Sequence, residues 1–292
     1  MTVSRILVVG AGSVLGYEIV RRLCEKGVSV QAAYRTERAD IDKRLVSIGA
    51  KPAQLDLADE ERAARLIRNN DAAIFTPILT VSKAAAPFLR EGQGAVFFSS
   101  NNVAVDPQTK TYARLLLAEA EVRRAAPAAH ILRPTMIYGY PGDGNLSRLM
   151  QMMRRVPLVA APGGGKALQQ PVYYRDLAQI AAELLFAFDG AGASPFRAVA
   201  GPAPVSLRAL YRTAAAAMGA KPLILPIPAS PLAALLRLVE RLGWKPGLTS
   251  AQLARASRDK TPVGVCVSLG ATSLEEGLSA LAQALDASRR GA

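Results

Sequence analysis

The sequence predicts an α/β protein: a doubly wound parallel sheet followed by a smaller, mainly helical region. Three observations point there. β-rich and helix-patterned segments alternate from the N-terminus to Gly139. A glycine-rich turn, Gly10-Ala11-Gly12-Ser13-Val14-Leu15-Gly16, joins the first strand to the first helix. Beyond Gly139 the alternation gives way to Gly/Pro-bounded and mostly helical segments. A repeated strand-then-helix order needs crossover connections, which make neighbouring strands parallel and put helices on both faces.

The elements follow in order. Ile6 to Val9 is an apolar, β-branched run that stops at Gly10. Leu15, Ile19, Val20 and Leu23 recur at helical spacing, and Gly27 ends that helix. Val28 to Tyr34 is a second strand, Arg44 to Ile48 ends a short helix, and Pro52 to Leu57 includes a third strand. Ala63 to Ile67 is helical, Ala72 to Phe75 a strand, Val81 to Leu89 a helix, and Ala95 to Phe98 a strand. Tyr112 to Arg124 is a helix and His130 to Leu132 the sixth strand, with His130 a structural residue.

Past Gly139, Leu146 to Arg155 is a short helix whose methionines, Met150, Met152 and Met153, belong to core packing. Asp176 is expected to N-cap a helix running to about Phe188, Phe196 to Ala200 is a further strand, and Ser206 caps another helix. Pro231 to Trp244 is amphipathic, and Ser273-Leu274-Glu275-Glu276 is a capping box before the last helix.

Composition excludes several classes. The 292 residues are 50% apolar and 20% charged, an ordinary folded balance. Two cysteines, Cys24 and Cys266, cannot form a disulfide framework. A single histidine, His130, argues against a His-ligated metal centre. The net charge of +13 is spread along the chain and aromatics are only 5%, which disfavours nucleic-acid binding. The charge reads first as a solvated basic surface; such a surface would also concentrate anionic ligands, and contact with an anionic membrane is the lesser alternative. The N-terminal apolar run is short and leads into glycines, so a signal peptide is not expected, and the chain is read as cytoplasmic.

The glycine turn is the sharpest local signal because it follows a strand and opens a helix. Such a turn lets backbone N–H groups approach a diphosphate, with the helix N-terminus favouring its charge. Gly10, Gly12, Ser13, Val14, Leu15 and Gly16 are therefore candidate cofactor residues. An NAD site usually carries an acid about 20 residues on, at the end of the second strand. Here Tyr34 is followed by Arg35, with Arg38 close by. Guanidinium groups suit the additional 2′-phosphate of NADP, so NADPH is the expected cofactor and NAD the alternative. Asp56-Leu57 offers a carboxylate for an adenine amino group.

In order along the chain, the glycine turn, Arg35, Asp56-Leu57, Ser99-Ser100, Arg133-Pro134-Thr135-Met136-Ile137-Tyr138-Gly139 and Val172-Tyr173-Tyr174-Arg175-Asp176-Leu177-Ala178 resemble the short-chain dehydrogenases/reductases. The similarity is to their extended and atypical branches, the NAD(P)-dependent epimerase/dehydratase type. Gly201-Pro202 and Leu274-Glu275-Glu276-Gly277-Leu278 fit the same group, so the resemblance spans nearly the whole chain. The stretch from Pro162-Gly163-Gly164-Gly165 to Gln169-Gln170-Pro171-Val172 is also similar to atypical members related to an NADPH-binding accessory subunit of respiratory complex I.

The resemblance implies a Rossmann-type NAD(P)-binding domain over residues 1–139, rejoined by about 170–200, and a smaller substrate-binding region from 140–169 and 201–292. It adds Thr76 and Pro134 to the cofactor contacts, and implies that Ser100 and Tyr112 handle a substrate oxygen between the two regions. There are two departures. Ser13 stands where the family often has glycine, and Leu116 stands where the lysine four residues after the tyrosine belongs. An unassisted phenol ionises only at about pH 10, which suits giving a proton during a reduction better than abstracting one. The expected function is thus an NADPH-dependent oxidoreductase acting on a small-molecule carbonyl or hydroxyl. The alternative that Leu116 raises is a non-catalytic NADPH-binding scaffold, assembly factor or redox sensor.

Overall fold

A computed structural model describes residues 4–187, 196–228, 257–264 and 266–290. The chain forms two compact units, Met1–Pro134 with Tyr174–Val199 and Pro262–Gly270, and Thr135–Tyr173 with Ala200–Thr261 and Ala271–Ala292.

The first unit is built on β1 (Arg5–Val9), β2 (Ser29–Tyr34), β3 (Lys51–Gln54), β4 (Ala72–Ile78), β5 (Gly94–Phe98) and β6 (His130–Pro134). Further along, β7 (Ile137–Tyr138), β8 (Leu158–Pro162), β9 (Leu168–Gln169) and β10 (Val172–Tyr173) precede β11 (Phe196–Ala200), which returns to the main sheet. After β12 (Val205–Ser206) and β13 (Leu223–Ile227), β14 (Val267–Leu269) completes it. The eight-stranded order is β14-β11-β6-β5-β4-β1-β2-β3. Every pairing from β3 through β11 is parallel. The expected doubly wound sheet is present, and its order reverses between β1 and β4, the kind of point at which open α/β sheets bind ligands at the carboxyl ends of their strands.

Burial explains the strand composition. Ile6, Leu7, Val8 and Val9 are all buried, as are all five residues of β5, because helices cover both faces. Phe75 and Phe97 stack at 4.6 Å across β4 and β5. The covering helices include α1 (Val14–Glu25), α2 (Ala39–Ser47), α3 (Glu60–Arg68), α4 (Leu79–Ser82), α5 (Asn102–Val105) and α6 (Lys110–Ala125). The amphipathic face of α1 buries Ile19, Val20 and Leu23.

Several expectations need correction. The helix expected from Val81 to Leu89 is α4 followed by a 3-10 segment, Lys83–Phe88. Pro87 has no amide hydrogen to continue an α-helix. β3 ends at Gln54, which puts Asp56 in the turn that follows. The last strand of the sheet, β14, falls in a stretch that reads as mostly helical, since three residues are too few to show a period. Residues 262–270 thereby return to the first unit, not to the smaller region.

The second unit contains α7 (Leu146–Met153), α9 (Leu207–Ala217) and α10 (Leu274–Arg290), while α8 (Tyr174–Phe186) belongs to the first. The second unit's strand pairs are β7 with β10, β8 with β13 and, antiparallel, β9 with β12. α8 starts two residues before Asp176, which lies buried in its first turn and is not the cap, because β10 runs straight into the helix. Ser206 does cap α9, accepting from Ala209 N–H at 3.1 Å. The capping box also forms: Glu276 N–H donates to Ser273 Oγ at 3.2 Å, and Ser273 N–H to Glu276 Oε2 at 3.0 Å. Met150 and Met153 are buried in this unit, whereas Met152 is exposed. The stretch Pro231 to Trp244 lies outside the described residues. Among the described residues no helix is long and apolar enough to cross a membrane.

Candidate cofactor and active site

All the candidate site residues lie in the first unit, most of them at or just beyond the carboxyl ends of its strands and Tyr112 in the first turn of α6. The glycine turn is held from several sides. Gly10 and Ala11 donate their N–H groups to Ala33 O at 2.8 and 3.0 Å, which fixes the turn to β2. Gly10 has φ +85°, and a Cβ there would stand 2.2 Å from Thr76 Oγ1. A Cβ on Gly16 would meet Gly10 O at 2.2 Å, so α1 approaches β1 only because this residue lacks a side chain. Ser13 caps α1: its hydroxyl donates to Gly10 O at 2.8 Å and accepts from Gly16 N–H at 3.0 Å. Tyr17 N–H takes Ser13 O. The N–H groups of Val14 and Leu15 have no carbonyl a turn earlier in the helix, as at any helix N-terminus, where anions are favoured.

Thr76 serves the turn itself. Its hydroxyl lies 3.0 Å from Val9 O and 3.3 Å from Gly10 O, so it clamps β4 to the end of β1. Arg35 is exposed just beyond β2, while Arg38 is paired with Asp40 at 2.8 Å, both side chains largely in solvent. Asp40 is held below the ordinary carboxylate range, first by that hydrogen bond and then by the charge of Arg38. The Tyr34 hydroxyl donates to Asp42, and desolvation, followed by that bond, pushes its pKa up. Asp56 is exposed and uses Oδ1 to accept from Ala58 N–H at 3.0 Å. Leu57 is buried in the apolar core, so its side chain is not available to a ligand. Pro134 is buried too, and its carbonyl accepts from Asn101 N–H at 2.9 Å.

At the end of β5, Ser100 and Tyr112 come together through Asn102, which the sequence marks only as part of the polar run Ser99-Ser100-Asn101-Asn102. Asn102 donates its main-chain N–H to Ser100 Oγ at 3.2 Å and its side-chain Nδ2 to Tyr112 Oη at 2.9 Å. Asn101 is buried, its Oδ1 accepting from Val263 N–H at 3.0 Å. Ser99 Oγ is buried and, among the described residues, has no hydrogen-bond partner. The only sequence signal for this arrangement is the run of four polar residues after an apolar strand. Tyr112 and Leu116 are half-buried against the core of the unit, so an apolar side chain occupies the helical turn after Tyr112. Further along α6, Glu119 forms a buried pair with Arg133, whose guanidinium also lies 4.3 Å from the Phe196 ring centre.

These features fit a dinucleotide. Gly10 makes a turn that no side chain could occupy, since a Cβ would collide with Thr76 and Pro77, the first turn of α1 has amides with no partner within the helix, and, among the described residues, an unpartnered buried hydroxyl sits at the end of β5.

No protein-family profile matches the chain. No curated protein matches it in sequence. Solved structures do match over their full length. UDP-glucose 4-epimerase from Thermus thermophilus, in complex with NAD, is 18% identical with a TM-score of 0.59, covering 97% of this chain and 99% of its own. UDP-glucose-4-epimerase from Stenotrophomonas maltophila, with NAD and formylated UDP-arabinopyranose, is 16% identical with a TM-score of 0.67, covering 99% and 100%. The dTDP-glucose 4,6-dehydratase from Bacillus anthracis, in complex with NAD, is 11% identical with a TM-score of 0.64, covering 98% and 97%. The chain shares the fold of these structures. That likeness fits the order of strands and the place of the glycine turn at the switch between β1 and β4.

Proposed function

We propose that the protein is an NADPH-dependent oxidoreductase of the extended or atypical short-chain class, acting in the cytoplasm on a carbonyl or hydroxyl of a small molecule. The observation that carries this reading is the locked turn from Gly10 to Gly16, followed beyond β2 by Arg35 in place of an acid. Main-chain N–H groups of Gly12, Val14 and Leu15 would hold the diphosphate. Arg35 would grip the 2′-phosphate through forked, charge-assisted hydrogen bonds. Arg38 would join it by leaving Asp40, and Asp56 would accept from the adenine amino group. Thr76, whose hydroxyl holds the turn, and Pro134 would complete the cofactor contacts.

When bound, the reduced nicotinamide supplies a hydride to a carbonyl carbon. Tyr112 gives its hydroxyl proton to the carbonyl oxygen, Ser100 hydrogen-bonds that oxygen, and water restores the proton to Tyr112. The UDP-sugar bound in one structural neighbour makes nucleotide sugars the first substrate class to try.

Calorimetry with NADPH and NADH tests the cofactor. NADPH is expected to bind more tightly, and Arg35→Asp to weaken NADPH by about 10- to 100-fold while leaving NADH little changed. Unchanged NADPH affinity in that variant removes Arg35 from the site. Absence of binding by either coenzyme leaves only a tight strand-to-helix turn. For chemistry, Tyr112→Phe should cut NADPH oxidation by about 100- to 10,000-fold with cofactor affinity retained.

The packing of Leu116 against the core favours a second reading, a non-catalytic NADPH-binding scaffold, assembly factor or redox sensor. Tight NADPH binding with no oxidation across aldehydes, ketones and nucleotide sugars is its expected signature.

A further inference from the structure

A hydroxyl has one proton to give and two lone pairs to offer. At the end of β5 both candidate hydroxyls use a lone pair on the same residue: Ser100 Oγ accepts from Asn102 N–H at 3.2 Å and Tyr112 Oη from Asn102 Nδ2 at 2.9 Å. With both oxygens engaged as acceptors, both protons remain to be given elsewhere. Asn102 is itself half-buried and opens α5, so its main chain is fixed by the turn that also sets Ser100.

We propose that Asn102 is the positioning residue of this site, turning the Ser100 and Tyr112 protons onto one substrate oxygen and donating to the phenolate that proton transfer leaves behind. This rests on the oxidoreductase reading above. Bond accounting is simple: the O–H bond of Tyr112 breaks, an O–H bond forms on the substrate oxygen, and the negative charge left on Oη gains the amide as donor. Hydrogen bonding to a charged form favours that form. The amide thus supplies, from α5, a donor to the Tyr112 oxygen, while the residue one helical turn on from Tyr112 in α6 is the apolar Leu116. A neutral amide does this without the buried charge that a cation against the apolar core would bring.

The decisive experiment reverses the polarity of one bond. In Asn102→Asp the side chain keeps its shape but can only accept, so the Tyr112 hydroxyl must donate to it. In Asn102→Leu the donor is deleted. The main-chain bond to Ser100 survives both changes, so any effect reports on the phenol.

The first readout is the 13Cζ resonance of labelled tyrosine, assigned to Tyr112 by its loss in Tyr112→Phe, and it needs no substrate. A shift of this resonance in both variants, in opposite directions, is expected; an unmoved resonance in folded variants overturns the tether. The second readout is NADPH oxidation with the quinone menadione as probe. The expected result is a fall in kcat of about tenfold for Asn102→Leu and more for Asn102→Asp, with KM and NADPH affinity within about twofold. A loss confined to KM, or equal rates in all forms, overturns the positioning role. Wild-type protein that binds NADPH but oxidises none with menadione, aldehydes or nucleotide sugars sinks the oxidoreductase reading, and the use of the two protons with it. In that case the resonance still reports whether the tether exists, so the two failures are distinguishable.

Discussion

Gly10 and Ser13 show how much of the site rests on single side chains. Gly10 combines φ +85° with a Cβ position 2.2 Å from Thr76 Oγ1, so alanine there meets two penalties at once. The left-handed backbone alone costs about 1–2 kcal/mol, and the clash must be relieved by moving Thr76 away from Val9 O and Gly10 O. Gly10→Ala is expected to destabilise the protein by at least about 2 kcal/mol, read as a lower Tm, and to abolish NADPH binding. A variant with wild-type Tm and affinity would mean that the turn is not the cradle. Ser13 stands where the short-chain dehydrogenases/reductases that the sequence resembles often have glycine, and it has a structural part in the turn. Its hydroxyl bridges Gly10 O and Gly16 N–H, so the departure strengthens the turn without obstructing it. Asn102 was visible only as one of four consecutive polar residues; its bonds to Ser100 and Tyr112 arise because α5 and α6 pack together, which no local pattern announces.

Among elements, β1 and β4 flank the switch point and are tied at their amino ends by one carboxylate. Asp71 Oδ2 accepts from Arg5 N–H at 2.8 Å, Ser4 N–H at 2.9 Å and Ser4 Oγ at 2.8 Å. The Arg5 bond is the largest cause, followed by the Ser4 hydroxyl and the Ser4 N–H, of a pKa held below the ordinary aspartate value. A carboxyl whose folded-state pKa is depressed stabilises the fold above its unfolded pKa, and that stability is lost as pH falls through the folded value. Asp71→Asn should therefore cost about 1–2 kcal/mol at neutral pH, after allowance for solvent around the group. The difference from wild type should narrow below about pH 4, and close as pH drops through the lowered pKa. Urea titrations at neutral and acidic pH measure it; a gap that is constant with pH would mean that the charge is irrelevant. The helix α6 was legible as an element from its apolar spacing. Its inner face was not: Glu119 pairs with Arg133 of β6 within the buried layer, and Tyr112 and Leu116 share the same wall.

For the whole molecule, the net charge of +13 bears on the proposed capture of a coenzyme. A positive field raises the encounter rate of a polyanionic coenzyme and is screened by salt. Raising ionic strength from about 0.05 to about 0.5 M is expected to slow NADPH association several-fold in stopped-flow fluorescence, with dissociation less affected. An association rate independent of salt would show that the charge is a solvated surface with no part in capture.

The sequence by itself determined the strand-helix alternation, the parallel sheet and the place of the glycine turn. These follow from local apolar periodicity and from residues whose backbone or capping chemistry is intrinsic, such as Gly10, Ser206 and the Ser273–Glu276 box. Tertiary structure alone decided which distant groups meet. It brought Val267–Leu269 to the edge of the sheet, buried Leu57 in the core, placed Asp176 inside its helix, committed Arg38 to Asp40, and set Asn102 between Ser100 and Tyr112. A periodic pattern records which face of an element is buried, but not which side chain from another element will stand opposite it.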